Sequence, residues 1–251
     1  MMKIIYCAYG RAALECLDQL MLNFDIKKSD IIVYTHDIEH NKEFIEHLIK
    51  NKFTYLFDNI NNTFKQLKTF NPDYLISVYY RTIINYKILN LFNKGSMNLH
   101  PSLLPKYKGA KSSVWAILKN EKQTGISFHL ITSNVDSGNI ILQKKININN
   151  DDTAYSLYHK LISLFVTHFS EAFNLLISGY KGQKQTGESS YYSRELPFDG
   201  RLDSNKVSYN EASQFVKAMY FPPFKGALLL IKNEEIEVSS INDLRRHMGI
   251  S

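Results

Sequence analysis

Asn98 and His100 lie two residues apart in the segment 97–105, and side chains of these types can carry out an acyl transfer. Because side chains alternate along an extended strand, both point to the same side if a strand ends before Pro101. An asparagine amide can donate a hydrogen bond to a developing oxyanion, and a histidine can exchange a proton with an incoming amine. This pair therefore predicts a site for acyl transfer.

A third residue, Asp136, lies in the loop 132–138, directly after another strand-like run. A carboxylate near His100 would favour the protonated imidazole, so we expect Asp136 to lie beside it. Taken singly, a histidine at a strand end, a loop aspartate before Ser-Gly and an asparagine before a loop are common structural residues. It is the combination that predicts catalysis.

The elements that position these residues follow from the spacing of apolar residues. Strands are expected at 3–8, 30–35, 74–79, 95–100, 125–131 and 139–148, and helices at 12–21, 39–50 and from an N-cap at Asp152 to residue 179. This alternation predicts an α/β fold, with a Rossmann-like, mostly parallel sheet and helices on both faces. His100 would then lie at the carboxyl end of a strand, where such sheets bind ligands.

The polar, glycine-rich segment 179–190 is the expected linker between two domains. We place a catalytic domain at 1–182 and a small α+β subdomain at 183–251. The subdomain should contain a turn at 197–200, a helix around 211–219 and two β-like runs, 227–231 and 235–240, that form a β-hairpin.

Composition limits the class of protein. The chain has 251 residues and a formal charge of +6, and its pI near 9.0 favours anionic partners such as nucleotide phosphates. The basic residues are scattered, so we expect small-molecule substrates and no nucleic acid. Cys7 and Cys16 match no disulfide, metal or redox spacing, and no apolar run suits a signal peptide or a membrane span, so a cytoplasmic protein without a membrane partner or a metal is expected.

The first strand-to-helix turn carries Gly10 and Arg11 and lacks both the G-x-G-x-x-G and the P-loop pattern, so a dinucleotide coenzyme is not expected. Gly10 has two interpretations. It either makes a simple tight turn or lets a phosphate or substrate approach the backbone beside Arg11.

The runs N-L-H-P-S-L-L-P, G-I-S-F-H and D-S-G-N-I-I together resemble the folate-dependent formyltransferases, which include glycinamide ribonucleotide, methionyl-tRNA and sugar-nucleotide formyltransferases. The resemblance is specific over 78–148 and weaker elsewhere. It implies that 10-formyltetrahydrofolate is the formyl donor, that Asn98 stabilises a tetrahedral intermediate, that His100 shuttles the proton and that Asp136 tunes His100. It also implies two folate-holding segments, represented by Tyr80, Thr82, Ile83, Ile84, Thr132, Ser133, Asn134 and Val135.

The segments 191–200 and 220–227 resemble the small sugar-nucleotide N-formyltransferases. This implies a homodimer and a dTDP-linked amino-dideoxyhexose as acceptor, with dTDP-4-amino-4,6-dideoxyglucose as first choice and a product used in the O-antigen of lipopolysaccharide. Tyr220 and Phe221 could stack on thymine or pack in the subdomain core. Guanidinium groups suit a pyrophosphate, so Arg11, Arg81 and Arg194 are candidates to bind it, unless they form surface ion pairs.

Two alternatives remain open. Methionyl-tRNA formyltransferases are similar around His100, but Gly109-Ala110-Lys111 departs from their G-A-A-P pattern. The turn before Arg11 also departs from the glycine- and serine-rich phosphate loop of the purine-pathway enzyme. A non-catalytic sugar-nucleotide or RNA-binding module would fit the basic charge, but it leaves Asn98, His100 and Asp136 unexplained.

Overall fold

The structure is a computed structural model that describes residues 2–232 and 234–249. Within these residues the strands are β1 (Ile4–Ala8), β2 (Ile31–Tyr34), β3 (Thr54–Leu56), β4 (Tyr74–Val78), β5 (Gly95–His100), β6 (Lys108–Gly109), β7 (Gln123–Leu130), β8 (Ile140–Asn147), β9 (Tyr191–Tyr192), β10 (Arg201–Asp203), β11 (Ala227–Ile231) and β12 (Glu234–Val238). The helices are α1 (Gly10–Asn23), α2 (Lys42–Lys50), α3 (Phe64–Phe70), α4 (Tyr86–Leu89), α5 (Ser112–Leu118), α6 (Ala154–Ile177), α7 (Tyr209–Met219) and α8 (Ile241–Met248).

The main sheet has the strand order β3-β2-β1-β4-β5-β7-β8. Neighbours from β3 to β5 are parallel, and β7 runs antiparallel to β5. The order reverses between β1 and β4, which is where open α/β sheets bind ligands beyond the carboxyl ends of their strands. The predicted α/β fold with a mostly parallel sheet is confirmed.

The central strands form because their residues are apolar on both faces. All residues of β1 and β4 are buried, as expected for parallel strands covered by helices. Helix α1 buries Ala13, Leu17 and Leu20, whose spacing of three and four residues defines a single apolar stripe. These elements hold the carboxyl ends of the strands rigidly in place.

Helix α6 begins at Ala154, so its N-cap position is Thr153, one residue after the predicted Asp152. The Thr153 hydroxyl accepts a hydrogen bond from the Ser156 backbone at 3.1 Å, and the Ser156 hydroxyl accepts one from the Thr153 backbone at 3.0 Å. Among the described helices, α6 alone is long and apolar enough to span a membrane. Its residues Leu161 and Phe169 are fully buried in the protein, which accounts for that composition.

The chain divides into two compact units. Unit 1 contains residues 1–100, 126–144 and 162–187, and unit 2 contains 101–125, 145–161 and 188–251. The predicted domain boundary lies between 182 and 183, whereas the chain enters unit 2 at 188, five residues later. Unit 2 also contains two segments of the predicted first domain, 101–125 and 145–161.

Unit 2 contains a three-stranded sheet in the order β10-β11-β12, with β11 and β12 as the predicted antiparallel hairpin. Helix α7 starts with a capping box, in which the Ser208 hydroxyl and the Glu211 carboxylate each accept a backbone hydrogen bond from the other residue. Strands β6 and β9 pair in parallel, and Tyr192 stacks between Tyr107 and Trp115, with ring centroids 5.5 Å and 4.2 Å away.

Asp152, which is 4% exposed, should stabilise unit 2 in a pH-dependent way. Burial disfavours its charged form, but hydrogen bonds from Lys160 at 2.7 Å and 2.8 Å, from the Asn149 backbone and from Ser156 outweigh burial and lower the pKa of this carboxyl. A lowered pKa in the folded state means that the stabilisation is complete above the pKa of the unfolded chain and is lost as the pH falls through the folded value.

We therefore expect Asp152→Asn to lower the free energy of unfolding by about 1–3 kcal/mol at pH 7. The difference from wild type should shrink as the pH falls below about 4, the ordinary range for an aspartate. Urea unfolding at a series of pH values measures this. Equal midpoints at pH 7 would contradict the role given to Asp152.

Candidate active site

The antiparallel pair β5–β7 sets the positions of the polar side chains at the centre of the site. Asn98 lies directly opposite His129, and His100 lies opposite Ser127. Side chains directly opposite each other share one face of a sheet, and so do residues two apart on one strand. Asn98, His100 and His129 therefore face the same side.

Asp136 joins these three side chains. Its Oδ2 lies 3.3 Å from His100 Nδ1, and its Oδ1 lies 3.3 Å from His129 Nε2. Asn98 Nδ2 lies 3.5 Å from the same Oδ1. The side chains of Asp136, His100 and His129 are only 9%, 5% and 3% exposed, so these contacts are little screened by water.

The protonation of His129 follows from its neighbours. Its Nδ1 lies 2.8 Å from the carbonyl oxygen of Leu130, which only accepts hydrogen bonds, so Nδ1 carries the proton. In the neutral ring Nε2 is then an acceptor, and Asn98 Nδ2 lies 3.1 Å from it. This contact orients the Asn98 carboxamide with its nitrogen toward His129, and the other N–H of that nitrogen faces Asp136 Oδ1 at 3.5 Å. With Nε2 unprotonated, the 3.3 Å approach of Asp136 to His129 is a contact and not a hydrogen bond.

No role for His129 is predicted from the sequence, although it ends the run G-I-S-F-H. Alternation along β7 gives the face on which His129 lies, but its partner depends on the β5–β7 register, which the sequence does not reveal. Among residues 2–232 and 234–249, no group of three or more His, Cys, Asp or Glu side chains is arranged to hold a metal ion.

The loop that presents Asp136 has a tight backbone. Asp136 adopts a left-handed conformation with φ at 48°, which is unfavourable for a residue with a Cβ. Two residues later, a Cβ on Gly138 would overlap the backbone carbonyl of Leu130, so this position requires glycine. The Ser137 hydroxyl lies 2.8 Å from the hydroxyl of Thr132 and donates to the carbonyl of Asn134 at 2.9 Å.

The first segment expected to hold folate, and the residue that precedes the second, contact one apolar cluster. Tyr80 and Ile84 follow β4, Ile131 precedes the Asp136 loop, and all three contact the same apolar core. Ile83 and Val135 are 69% and 39% exposed, so each segment presents an apolar side chain at the surface of unit 1. Thr82 is half-buried, and residues 132–134 are exposed.

His36, which the sequence analysis did not assign, organises the start of the first segment. Its ring stacks on Tyr80 with centroids 4.7 Å apart, and its Nε2 accepts a hydrogen bond from the Arg81 backbone at 3.1 Å. Burial raises the pKa of Tyr80 to about 12, so this phenol is neutral at physiological pH.

The predicted substrate residues of unit 1 lie near the first turn of α1. Gly10 has φ at 77°, which explains the glycine, and its backbone N–H donates to Asn41 Oδ1 at 2.8 Å rather than remaining open to a phosphate. Arg11 pairs with Glu15 at 2.6 Å on the helix surface. The Arg81 guanidinium lies 5.7 Å from the centre of the Tyr9 ring, so Arg81 and the residue before Gly10 are brought together.

The other predicted substrate residues belong to unit 2. Arg194 is exposed two residues after β9, and Tyr220 and Phe221 follow α7. Phe221 makes edge contacts with Tyr155 and Tyr158, at centroid distances of 5.6 Å and 5.2 Å. Phe221 is thus half-buried in an aromatic cluster whose other rings lie outside the subdomain 183–251, in α6.

Comparisons with known proteins identify relatives of this chain. Residues 33–172 match the family model described as formyl transferase. The chain is 36% identical to the GDP-perosamine N-formyltransferase of Brucella melitensis, over 98% of this chain and 95% of that protein. It is 35% identical to the methionyl-tRNA formyltransferase of Thermodesulfovibrio yellowstonii, over 71% of this chain and 57% of that protein.

Among solved structures, an N-formyltransferase from Helicobacter canadensis, in complex with folinic acid and dTDP-3-aminofucose, superimposes with a TM-score of 0.76. It is 25% identical in sequence, and the match covers 94% of this chain and 86% of that one.

Proposed function

The chain belongs to the formyl transferase family, and on this premise we propose that it transfers a formyl group from 10-formyltetrahydrofolate to the amine of a nucleotide-linked amino sugar. The observation that carries this proposal is the set of contacts that joins Asn98, His100, His129 and Asp136 on one side of the sheet. This set combines an oriented N–H donor with an imidazole held by a carboxylate, which are the groups that acyl transfer to an amine requires.

When bound, 10-formyltetrahydrofolate supplies a formyl carbon attached to a nitrogen. Asn98, oriented by His129, turns the N–H that faces Asp136 at 3.5 Å toward the formyl oxygen as negative charge develops there during attack by the sugar amine. His100 accepts the proton of the attacking amine on Nε2, because its Nδ1 faces Asp136. The same proton then passes to the folate nitrogen as its bond to the formyl carbon breaks. The carboxylate of Asp136 stabilises His100 while the imidazole is charged.

The exposed parts of unit 1 fit a folate donor. Ile83 and Val135 offer apolar surface for a flat pterin ring, and the exposed backbone of 132–135 supplies hydrogen-bonding groups next to Asp136. We propose that Tyr80, Thr82 and Ile84 hold the first of these segments in place rather than contacting the ring through exposed surface, since Ile84 is buried and Tyr80 stacks on His36.

For the acceptor we propose a nucleotide-linked 4-amino-4,6-dideoxyhexose, with GDP-perosamine as first choice. The support is the 36% identity to the Brucella enzyme over nearly the whole chain, since perosamine carries its amine at carbon 4. The neighbour in complex with dTDP-3-aminofucose is 25% identical, so the thymine nucleotide expected from the sequence has weaker support. We propose that Arg194 and Tyr220 of unit 2 contribute to acceptor binding.

We also propose that the chain forms a homodimer through unit 2. Strand β12 lies at the end of its three-stranded sheet, and an edge strand with unpaired backbone groups can pair with its copy across a two-fold axis. Size-exclusion chromatography with light scattering tests this directly, and a monomeric mass would contradict it.

The test of the function is an assay of the full chain with 10-formyltetrahydrofolate and four acceptors in parallel: GDP-perosamine, dTDP-4-amino-4,6-dideoxyglucose, dTDP-3-aminofucose and methionyl-tRNA. Mass spectrometry should show the mass gain of one formyl group on GDP-perosamine, with a higher kcat/KM than on either dTDP sugar. Preference for a dTDP sugar would overturn the nucleotide assignment. Transfer only to tRNA would instead indicate a role in translation initiation. No transfer to any acceptor would contradict the proposed activity.

A further inference from the structure

Gln185 lies in the segment expected to be a linker, yet its side chain reaches the loop that carries Asp136. Its Nε2 donates one hydrogen bond to the backbone carbonyl of Asp136 and another to that of Gly138, each at 2.8 Å. Both protons of the amide nitrogen are therefore used on the two sides of Ser137. The Gln185 side chain thus links the backbone on the two sides of Ser137.

The segment that supplies Gln185 is itself anchored to unit 1. Gln183 and Ile140 exchange two backbone hydrogen bonds of 2.8 Å, and Asn139 Nδ2 donates to the carbonyl of Lys181 at 2.9 Å. A Cβ on Gly182 would lie 2.9 Å from the carbonyl oxygen of Ile140, so the absence of a side chain allows the segment to pack closely against Ile140. Gln185 therefore acts from a fixed backbone.

The loop needs an external contact of this kind. The left-handed backbone of Asp136 is unfavourable and persists only where its surroundings determine it. Gln185 Oε1 is buried and has no hydrogen-bond partner among the described residues, an arrangement that is unfavourable for the amide. The hydrogen bonds that Gln185 makes to described residues are therefore those of its two N–H donors, and both go to this loop.

We propose that Gln185 is a positioning residue for formyl transfer, which fixes the backbone of Asp136 so that the carboxylate reaches both His100 and Asn98. This inference rests on the proposed function. Gln185 lies well outside the loop and has no part in the bonds that form and break. It acts through Asp136 alone, and small displacements of a group so close to the chemistry have large effects on rate.

Gln185→Leu removes both donors from a side chain of similar size, and we expect kcat to fall about tenfold to a hundredfold while the KM of the amino sugar changes little. Gln185→Glu keeps the shape but only accepts hydrogen bonds when ionised, so it should lose at least as much. The matched control is Gln183→Leu, because the exposed Gln183 side chain makes no hydrogen bond to the described residues. This control should stay within about twofold of wild type.

A double-mutant comparison separates positioning from a general structural role. Because Gln185 acts through Asp136, adding Gln185→Leu to Asp136→Asn should change single-turnover rates by less than about twofold. If the rate of the double variant fell by the product of the two single-variant factors, the proposal would be overturned. A wild-type kcat in Gln185→Leu would overturn it as well.

Hydrogen–deuterium exchange keeps the inference distinct from the proposed function and does not need activity. Backbone amides of 132–139 should exchange faster in Gln185→Leu than in Gln183→Leu, while thermal unfolding shows that both variants are folded. If the wild-type protein showed no formyl transfer, the proposed function would be contradicted but the role of Gln185 in holding the loop would not. Unchanged exchange in this loop would count against the role of Gln185.

Discussion

His100→Ala should lower kcat by at least about a hundredfold, the usual contribution of a general acid–base group. His100 is buried at the end of β5, and its Nδ1 faces the Asp136 carboxylate at 3.3 Å. No other described ring occupies this position, since His129 lies 6.4 Å away between ring centroids, with its Nδ1 facing Leu130 and its Nε2 facing Asn98 and Asp136. Alanine therefore leaves the attacking amine without a proton acceptor.

The measurement is steady-state formyl transfer with the amino sugar that the acceptor assay selects. The KM of this sugar should change little, because His100 acts on the proton of the amine and not on the nucleotide. His168→Ala is the matched control, since His168 contacts Glu171 on the surface of α6 and such exposed pairs contribute little to stability. A kcat for His100→Ala within about tenfold of wild type would remove His100 from the mechanism.

Asp136→Asn should reduce kcat by about 10²- to 10⁴-fold, with the protein still folded. The substitution preserves volume but replaces one carboxylate oxygen by an N–H donor. Both oxygens of Asp136 face a donor, Oδ2 the Nδ1 of His100 and Oδ1 the Nδ2 of Asn98. The carboxamide of the variant can therefore accept a hydrogen bond from only one of these two donors. It also no longer stabilises a charged His100.

Asp151→Asn provides the comparison, because Asp151 is exposed and carries the same chemical change. Rates are best measured in single turnovers, so that slow product release does not hide the loss of the chemical step. If Asp136→Asn kept the wild-type rate, the carboxylate would have no role in transfer, and the interpretation of Gln185 would fail with it.

The central strands were predictable because their residues are apolar and bounded by turns. The run 95–100 was predicted with the bounds of β5, and 227–231 with those of β11. Short elements were not anticipated. Helix α3 buries only Leu67, and β3 has three residues at the sheet edge, so neither leaves a periodic signal long enough to detect.

The site was predictable to the extent that its residues are close in sequence. Period-two alternation places Asn98 and His100 on one side of a strand, and the structure also brings Asp136 to His100. The contacts of His129 and Gln185 depend on strand register and on a hydrogen bond between residues 49 positions apart, which local patterns do not encode. Glycines and polar residues at 179–190 suggested a linker, whereas at Gly182 the missing side chain allows close packing against β8.

The groups that move the proton and those proposed to choose the acceptor have separate origins in the chain. Asn98, His100, His129, Asp136 and Gln185 all come from unit 1. Substitutions in 188–251 can therefore accumulate without altering any hydrogen bond within this set. A lineage with this arrangement can evolve toward a new nucleotide or sugar through substitutions in 188–251 while inheriting its chemistry intact.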